Sequence, residues 1–220
     1  MQRRLEAEVM DTEAEAVDYD RMDHSEPNEA FVARLIELGA RGRMLDIGTG
    51  PGHIPLLVCE RIRDAEVLGV DLADAMLAIA ERRRRASAHR ERLRYERADA
   101  CALPYADGAF DAVFSNTILH HIPDPRPFLR EAWRVLRPGG AFLIRDLYRP
   151  PDEARLEELV RLHAGGSNAH QQAMFRDSLM AALTPAELRA LLREIDLNDL
   201  ELTVDTDRHM SLQRAARLPS

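Results

Sequence analysis

Three alternating glycines and a later carboxylate are spaced as a nucleoside-binding site requires. Gly48, Gly50 and Gly52 directly follow a short apolar run. Glycine lets the backbone bend sharply and lets a ligand lie directly against the backbone amides. About 20 residues beyond this loop, a second apolar run ends in Asp71, at the place where an acidic residue can bond a ribose. The chemistry expected of these residues is recognition of a nucleoside ligand.

The glycine spacing discriminates among nucleotide-binding loops. The dinucleotide motif G-x-G-x-x-G requires a glycine where this chain has His53, and the phosphate-binding motif G-x-x-x-x-G-K-[ST] requires a lysine, which the sequence lacks. The motif present is G-x-G-x-G, preceded by Asp46 within the apolar run. An oxidoreductase that uses NAD(P) is therefore the less favoured alternative.

Two adjacent histidines, His120 and His121, are the candidates for acid–base chemistry. They follow the fourth apolar run, and a histidine in that position can take a proton from an O–H, N–H or S–H group. Paired histidines in a loop can equally be structural, and both interpretations stay open. The histidines of the chain match no metal-ligand spacing such as H-E-x-x-H, so the sequence predicts no metal.

Apolar runs alternate with segments of helical periodicity, and these elements must position the candidate residues. The pattern predicts an α/β fold with a doubly wound, mostly parallel Rossmann-like sheet, because parallel neighbours need crossover helices. In such a sheet ligands bind at the carboxyl edge, where the candidate residues would lie. The expected strands cover residues 44–47, 66–71, 93–97, 110–116 and 141–146.

The chain divides by its pattern into three parts of one domain. Residues 1–42 are predicted to form an N-terminal helical cap, and residues 43–150 the Rossmann-like core that binds the ligand. Residues 151–220 are predicted to form helices and a terminal β-hairpin that complete the same domain. A chain of 220 residues is long enough to bury a substantial core.

Composition and charge restrict the partners. The net charge of −8 disfavours binding to nucleic acid through phosphate neutralisation, and no apolar run is long enough to span a membrane. The arginine run at residues 82–85 lies beside glutamates and is expected to be a solvated helix face, although its role stays open. With only two cysteines, a reducing cytoplasm is the expected location. The oligomeric state is open, with a homodimer as one alternative.

The motifs occur in an order that resembles the class I S-adenosylmethionine-dependent methyltransferase family. The resemblance covers residues 44–146. Within the family, the sequence is similar to the branch that includes quinone-biosynthesis methyltransferases and other small-molecule enzymes. The segments that carry this similarity are Leu103-Pro104-Tyr105, Phe110-Asp111, His120-His121-Ile122 and the run from Arg134 to Gly140, with Tyr19-Asp20 upstream.

The resemblance implies S-adenosylmethionine as the cofactor. By this similarity the glycine loop would wrap the methionine part of the cofactor, and Asp46 would order the turn and the amino group. Asp71 would accept hydrogen bonds from the ribose, and Asp99 would accept one from the adenine amino group. The full set of implied cofactor-binding residues is Asp46, Gly48, Thr49, Gly50, Gly52, Asp71, Leu72, Met76, Asp99, Ala100, Ser115 and Asn116.

Several of these residues also have structural interpretations. Asp71 and Asp99 could each cap a helix N-terminus, a common use of aspartate after a strand. Met76, expected with Leu72 on the adenine, could instead belong to the core. Cys101 is expected to be a small hydrophobic residue and not a nucleophile.

The implied activity is transfer of a methyl group from S-adenosylmethionine to a small-molecule acceptor, with His120 and His121 as the candidate catalytic residues. A protein that binds S-adenosylmethionine without transferring the methyl group is an alternative. The acceptor and its reacting atom stay open. The candidate acceptor-binding residues are Tyr19, Met22, Arg145 and Tyr148.

Overall fold

Helices and strands alternate from residue 25 to residue 147, except that no α-helix separates the strands at residues 93–97 and 110–116. The structure is a computed structural model, and it describes residues 1–6 and 25–217. The elements of this part are α1 (Ser25–Glu37), β1 (Arg43–Ile47), α2 (His53–Arg61), β2 (Glu66–Asp71), α3 (Asp74–Ala86), β3 (Leu93–Arg97), β4 (Phe110–Asn116), α4 (Pro125–Arg134) and β5 (Leu136–Leu147).

Helices follow β5, and a hairpin closes the described chain. Asp205 N donates to the His209 carbonyl at 2.9 Å across the hairpin turn. The elements of this part are α5 (Glu153–Ala164), α6 (Ala169–Ala181), α7 (Pro185–Glu194), β6 (Glu201–Val204) and β7 (His209–Arg214).

The seven strands form one sheet in the order β3-β2-β1-β4-β5-β7-β6. β1 pairs in parallel with both β2 and β4, and β2 pairs in parallel with β3. The chain therefore runs outward from β1 to β3 and returns at β4 to the other side of β1. This reversal of strand order is where open α/β sheets bind their ligands. The predicted doubly wound, mostly parallel sheet with a terminal hairpin is confirmed.

The strand registers bring the carboxyl ends of the first strands to one edge of the sheet. Ile47, the last residue of β1, pairs with Val70, and Asp71 at the end of β2 pairs with Arg97 at the end of β3. Because neighbouring parallel strands end together, the loops that follow them leave the sheet at the same edge. Residues just after these strands can therefore contact one ligand.

β5 is longer than the sequence predicts. The sequence predicts a strand that begins at residue 141, but the Pro-Gly-Gly segment at residues 138–140 also lies within β5. Arg217 N donates to the Gly139 carbonyl at 2.8 Å, and the Arg214 guanidinium donates to the Gly140 carbonyl at 3.0 Å. These partners from the C-terminal residues hold the segment in the strand. The proline and glycines therefore do not prevent β5 from beginning before residue 141.

The described residues form two compact units. The larger unit consists of residues 25–116, 126–144 and 213–217, and the smaller unit of residues 1–6, 117–125 and 145–212. Each unit has its own buried apolar cluster. The cluster of the larger unit includes Phe31, Met44, Val58 and Phe114, and that of the smaller unit includes Leu156, Leu159 and Leu179. The division into a cap, a core and C-terminal helices stays a prediction.

Candidate active site

The loop between β1 and α2, residues 48–52, forms a tight turn against the end of β2. The backbone N–H groups of Gly48 and Thr49 both donate to the Val70 carbonyl, at 2.8 and 2.9 Å. Gly50 N donates to a carboxylate oxygen of Asp71 at 2.8 Å. The loop is therefore held in place by the neighbouring strand.

Gly50 and Gly52 both have left-handed backbone conformations, but their surroundings differ. A Cβ on Gly52 would lie 2.6 Å from the Tyr95 hydroxyl and 3.0 Å from Ala80, so close packing excludes a side chain there. A Cβ on Gly50 would have no atom within 4 Å. Gly52 thus serves the packing of the turn, whereas Gly50 borders open space in which a ligand could lie.

Asp46 is a buried carboxyl group beneath the loop, 2% exposed. Burial raises its pKa from 3.8 to about 7, the nearby Thr49 hydroxyl lowers it, and the charge of Asp71 raises it further. The hydroxyl of Thr49 is buried without a hydrogen-bond partner, so its effect on Asp46 comes from proximity and not from a well-aligned hydrogen bond. Polar groups left in this state are commonly satisfied by a ligand or by water.

Asp71 links the glycine loop to the start of α3. Its two oxygens accept hydrogen bonds from Gly50 N at 2.8 Å and Ala73 N at 3.0 Å. A carboxylate offers about four acceptor positions, so capacity remains for the two hydroxyls of a ribose. The N-cap residue of α3 is Ala73, and the interpretation of Asp71 as a helix cap is therefore wrong.

Asp99 lies two residues beyond β3 at the same edge. Its carboxylate accepts from Cys101 N at 2.8 Å within a turn, and no helix begins there. The capping interpretation is therefore wrong for this residue too. Asp99 is exposed, and the neighbouring Ala100 is half-buried. The carboxylate is accessible to a ligand donor at the strand end.

The remaining cofactor candidates divide between exposed and buried positions. Leu72 is 48% exposed, an unusual environment for a leucine, whereas Met76 is buried against Ala73 and Ile79. Leu72 could therefore lie against an adenine, while Met76 is a core residue behind it. Ser115 is fully buried and donates to the Ile47 carbonyl at 2.7 Å.

Asn116 ends β4 and is half-buried. All twelve candidate cofactor residues lie in the larger unit. The structure brings Asp46, Thr49, Gly50 and Asp71 into one group through the contacts described above. Ser115 does not belong to this group, because its hydroxyl donates to the backbone carbonyl of Ile47 within the sheet.

His120 forms a buried pair with Asp146 in the smaller unit. His120 Nδ1 lies 2.6 Å from one Asp146 oxygen, and the His120 backbone N–H donates to the other at 3.2 Å. The two residues are 4% and 2% exposed. Burial opposes protonation of His120, but the charge and hydrogen bond of Asp146 outweigh it and raise the histidine pKa.

His121 pairs with a second carboxylate, which comes from the N-terminus. Its Nδ1 lies 2.5 Å from a Glu6 oxygen, and the Ser178 hydroxyl donates to the other Glu6 oxygen at 2.6 Å. Burial raises the Glu6 pKa, but the bond to His121 and the Ser178 hydroxyl lower it more. The ring centroids of His120 and His121 are 4.0 Å apart. The two candidate catalytic histidines are thus one cluster.

Arg3 fixes the chain just after the short 3-10 helix that carries these histidines, Leu119–His121. Its guanidinium donates to the carbonyls of Ile122 at 3.0 Å, Pro123 at 3.1 Å and Ala181 at 2.6 Å. Sequence reasoning missed Arg3, Glu6, Asp146 and Ser178. Asp146 could have been found, because it ends a predicted strand as Asp71 does. No local signal marks Arg3, Glu6 or Ser178.

The candidate acceptor residues are only partly described. Tyr19 and Met22 lie outside the described residues. Arg145 is half-buried, and burial lowers its pKa to about 10 against the opposing charge of Asp205. The Tyr148 hydroxyl donates to the Asp207 carbonyl at 2.9 Å, which ties it to the hairpin turn. Arg145 and Tyr148 belong to the smaller unit, as the histidine cluster does.

A glycine turn with carboxylates at successive strand ends, on a doubly wound sheet, defines a nucleoside-binding Rossmann-like domain. Residues 45–144 match the family described as "Methyltransferase domain". Residues 45–144 therefore form a methyltransferase domain, and the chain is similar to quinone-biosynthesis methyltransferases. The family and the cofactor predicted from the sequence are confirmed.

Named relatives agree with this assignment. A demethylmenaquinone methyltransferase from Thermus thermophilus is 45% identical over 112 residues, which are 51% of this chain and 50% of that protein. Another from Deinococcus radiodurans is 31% identical over 161 residues, 69% of this chain and 66% of that protein. The chain thus spans between half and two thirds of the length of these two relatives.

Solved structures agree on the fold. A SAM-dependent methyltransferase from Aquifex aeolicus matches with a TM-score of 0.67 at 16% identity, covering 92% of this chain and 97% of the other.

Within the described part of the chain, every helix is too short or too polar to cross a membrane.

Proposed function

We propose that this protein transfers the methyl group of S-adenosylmethionine to a small-molecule acceptor. The observation that carries the proposal is Asp71, which bonds both the glycine loop and the start of α3 and retains acceptor capacity at the strand edge. A diol is a paired donor and a carboxylate is an acceptor-only group, so the two are complementary. The open space beside Gly50 supports the same site.

The other strand-end residues would hold the remaining parts of the cofactor. Asp99 would accept from the adenine amino group, with Ala100 beside it, and Leu72 would cover the adenine face. Asp46, in its ionised form, would attract the cationic amino group of the methionine part. The cofactor supplies an activated methyl group with its leaving group. The protein orients that group and excludes water.

The acceptor proposed is a small molecule with an exchangeable proton. His120 and His121 would promote loss of that proton, since each imidazole has its Nδ1 engaged by a carboxylate and Nε2 would be the ring nitrogen that faces the acceptor. Arg145, Tyr148, Tyr19 and Met22 are proposed to contact the acceptor. The relatives are named for demethylmenaquinone, so quinone-like aromatic compounds are the first acceptors to test.

The setting proposed is the cytoplasm, with no nucleic-acid partner. The net charge of −8 supports the second part, because phosphate neutralisation needs a basic surface. The two cysteines, Cys59 and Cys101, do not form a disulfide with each other, which is consistent with a reducing compartment.

The proposal is tested by Asp71→Ala against Asp74→Ala. Loss of charge-assisted bonds worth about 1.5–3 kcal/mol each should weaken S-adenosylhomocysteine binding at least tenfold in Asp71→Ala. Asp74 is a solvent-exposed carboxylate at the start of α3, 80% exposed, and Asp74→Ala should bind like the wild type. Calorimetry measures both. Equal affinity of Asp71→Ala and wild type would contradict the proposed ribose site.

A further inference from the structure

A cluster of three potential ligand groups occupies one place in the smaller unit. Glu6, His120 and His121 each offer one ligand atom, and these atoms all lie within 4.8 Å of one another. We propose that this cluster binds a divalent first-row transition-metal ion through two imidazole nitrogens and one carboxylate oxygen. The three residues are called the histidine–glutamate cluster below.

Asp146 supports the metal site from behind His120. A metal-binding histidine almost always donates its second ring N–H to a carboxylate or carbonyl, which fixes the ring and makes the ligand nitrogen more basic. Here His120 Nδ1 lies 2.6 Å from Asp146, which is 2% exposed. Nε2 is then the nitrogen directed away from that partner and able to coordinate an ion.

Glu6 is also oriented before any ion binds. The Ser178 hydroxyl donates to one of its oxygens at 2.6 Å, and the other lies 2.5 Å from His121 Nδ1. Arg3, three residues earlier, donates to three backbone carbonyls of the smaller unit within 3.1 Å. Because its guanidinium is occupied in this way, Arg3 anchors the N-terminal residues that deliver Glu6.

The donor set indicates the class of ion. Imidazole suits Zn²⁺, Fe²⁺, Cu²⁺ and Ni²⁺, whereas Mg²⁺ and Ca²⁺ prefer oxygen ligands. Two histidines and one carboxylate leave coordination positions open, as in catalytic sites and unlike closed structural sites. The cluster should therefore take Zn²⁺ or Co²⁺ in preference to Mg²⁺.

The role of the ion, unlike its binding, rests on the proposed methyl transfer. A cation with open positions can bind an oxygen or sulfur of the acceptor and lower its pKa, as it does for bound water or thiol. The acceptor proton is then released to solvent or buffer before the methyl group is transferred. In this form the two histidines act as ligands and not as bases.

An exposed pair elsewhere in the smaller unit provides a matched control. His163 Nε2 lies 2.8 Å from Asp207, so it too is a carboxylate–histidine pair. Arg208 lies within 2.9 Å of both ring nitrogens of His163, and its charge would repel a cation. His163 is also absent from the three-residue group that could hold an ion. His163→Asn should therefore leave metal binding unchanged.

The test is a titration of the chelator-treated 220-residue chain with ZnCl₂ by calorimetry, and with CoCl₂ by visible absorption. We expect one ion per chain, binding at least tenfold tighter for wild type than for Glu6→Gln or His121→Asn. Asp146→Asn, if folded by circular dichroism, should bind about 10–100-fold more weakly. His163→Asn and wild type should match.

Three results would overturn the metal site: no 1:1 binding by wild type, equal binding by Glu6→Gln, or loss of binding in His163→Asn. Glu6→Gln removes a charge from a half-buried position and is the variant least expected to unfold. S-adenosylhomocysteine binding is measured on the same samples. A chain that binds S-adenosylhomocysteine but no ion rejects the metal site alone, and the reverse result rejects only the cofactor site.

Discussion

The glycine-loop site of the larger unit and the histidine–glutamate cluster of the smaller unit are built in different ways. In the first, every polar residue lies within two residues of the end of a strand, so sequence order and site order coincide. In the second, residues 6, 120–121, 146 and 178 come from segments far apart in the chain. A site of the first kind follows from the topology of the sheet, whereas a site of the second kind depends on tertiary packing.

The carboxylates of the two sites also differ in their remaining capacity to accept hydrogen bonds. Asp71 accepts two backbone bonds and keeps acceptor capacity at the sheet edge. Asp146 is enclosed, and it accepts from His120 and from the Leu147 backbone. One carboxylate suits an incoming donor, and the other is committed to holding a neighbour. Substitutions should therefore affect ligand affinity in the first site and stability in the second.

The largest expected effect is on stability, from Asp146→Ala. Removing one partner of a buried pair leaves the other uncompensated, which costs about 3–5 kcal/mol of the free energy of unfolding. Asp207→Ala, which breaks an exposed histidine pair, should cost less than about 1 kcal/mol. Urea unfolding monitored by circular dichroism compares the two. Equal losses would contradict the structural role assigned to Asp146.

A smaller effect on the free energy of unfolding should distinguish Gly52 from Gly50 in the loop. Gly52→Ala combines left-handed strain of about 1–2 kcal/mol with contacts to Tyr95 and Ala80 at 3.0 Å or less, so the free energy of unfolding should fall by more than that strain alone. In Gly50→Ala the free energy of unfolding should fall only by the cost of the left-handed backbone conformation.

For S-adenosylhomocysteine affinity, the larger effect should come from Gly50→Ala. Gly50→Ala places a methyl group in the open space proposed for the cofactor, and S-adenosylhomocysteine binding should weaken at least tenfold. Urea unfolding and calorimetry on both variants separate the two outcomes. If Gly50→Ala bound the ligand as wild type does, the cofactor would not lie beside Gly50.

The smallest effect expected is a pH dependence that originates in Asp46. Burial raises the pKa of this carboxyl to about 7, and only its ionised form attracts the cationic amino group of the cofactor. At pH 6 about a tenth of the group is ionised, so binding of S-adenosylhomocysteine should be about tenfold weaker than at pH 8. Asp46→Asn should remove this dependence, and an unchanged pH profile in that variant would assign it to another group.

The same shift has a consequence for the ligand-free protein. Because the folded pKa of Asp46 lies above 3.8, folding favours the protonated form. This contribution to stability is complete below pH 3.8 and is lost as pH rises through 7. Wild type should therefore lose stability relative to Asp46→Asn between pH 4 and pH 8, as measured by urea unfolding at each pH.

Much of the fold could be predicted, because its signals are local. Alternating apolar runs and helical periodicity placed β1 to β4 within a residue of their observed bounds. The glycine segment before residue 141 misled the prediction of β5, because its partners are Arg214 and Arg217 at the other end of the chain. Pairing between distant segments leaves no local pattern.

The two sites differ in the same respect. Asp71 and Asp99 were found from their positions after strands, and the structure also excludes them as helix caps. His120 and His121 were visible as a pair, but their partners Glu6 and Asp146 were not assigned to them. Glu6 lies 115 residues from His121, and a carboxylate at that separation cannot be matched to a histidine by spacing, since only the folded chain brings them together.

The central claim is that the glycine-loop site binds S-adenosylmethionine. The most direct measurement is parallel calorimetric titration of the wild-type protein with S-adenosylhomocysteine and with NADH. One S-adenosylhomocysteine should bind per chain, and NADH should give no saturable binding, because His53 replaces the third glycine of the dinucleotide motif. Saturable NADH binding without any response to S-adenosylhomocysteine would contradict the account.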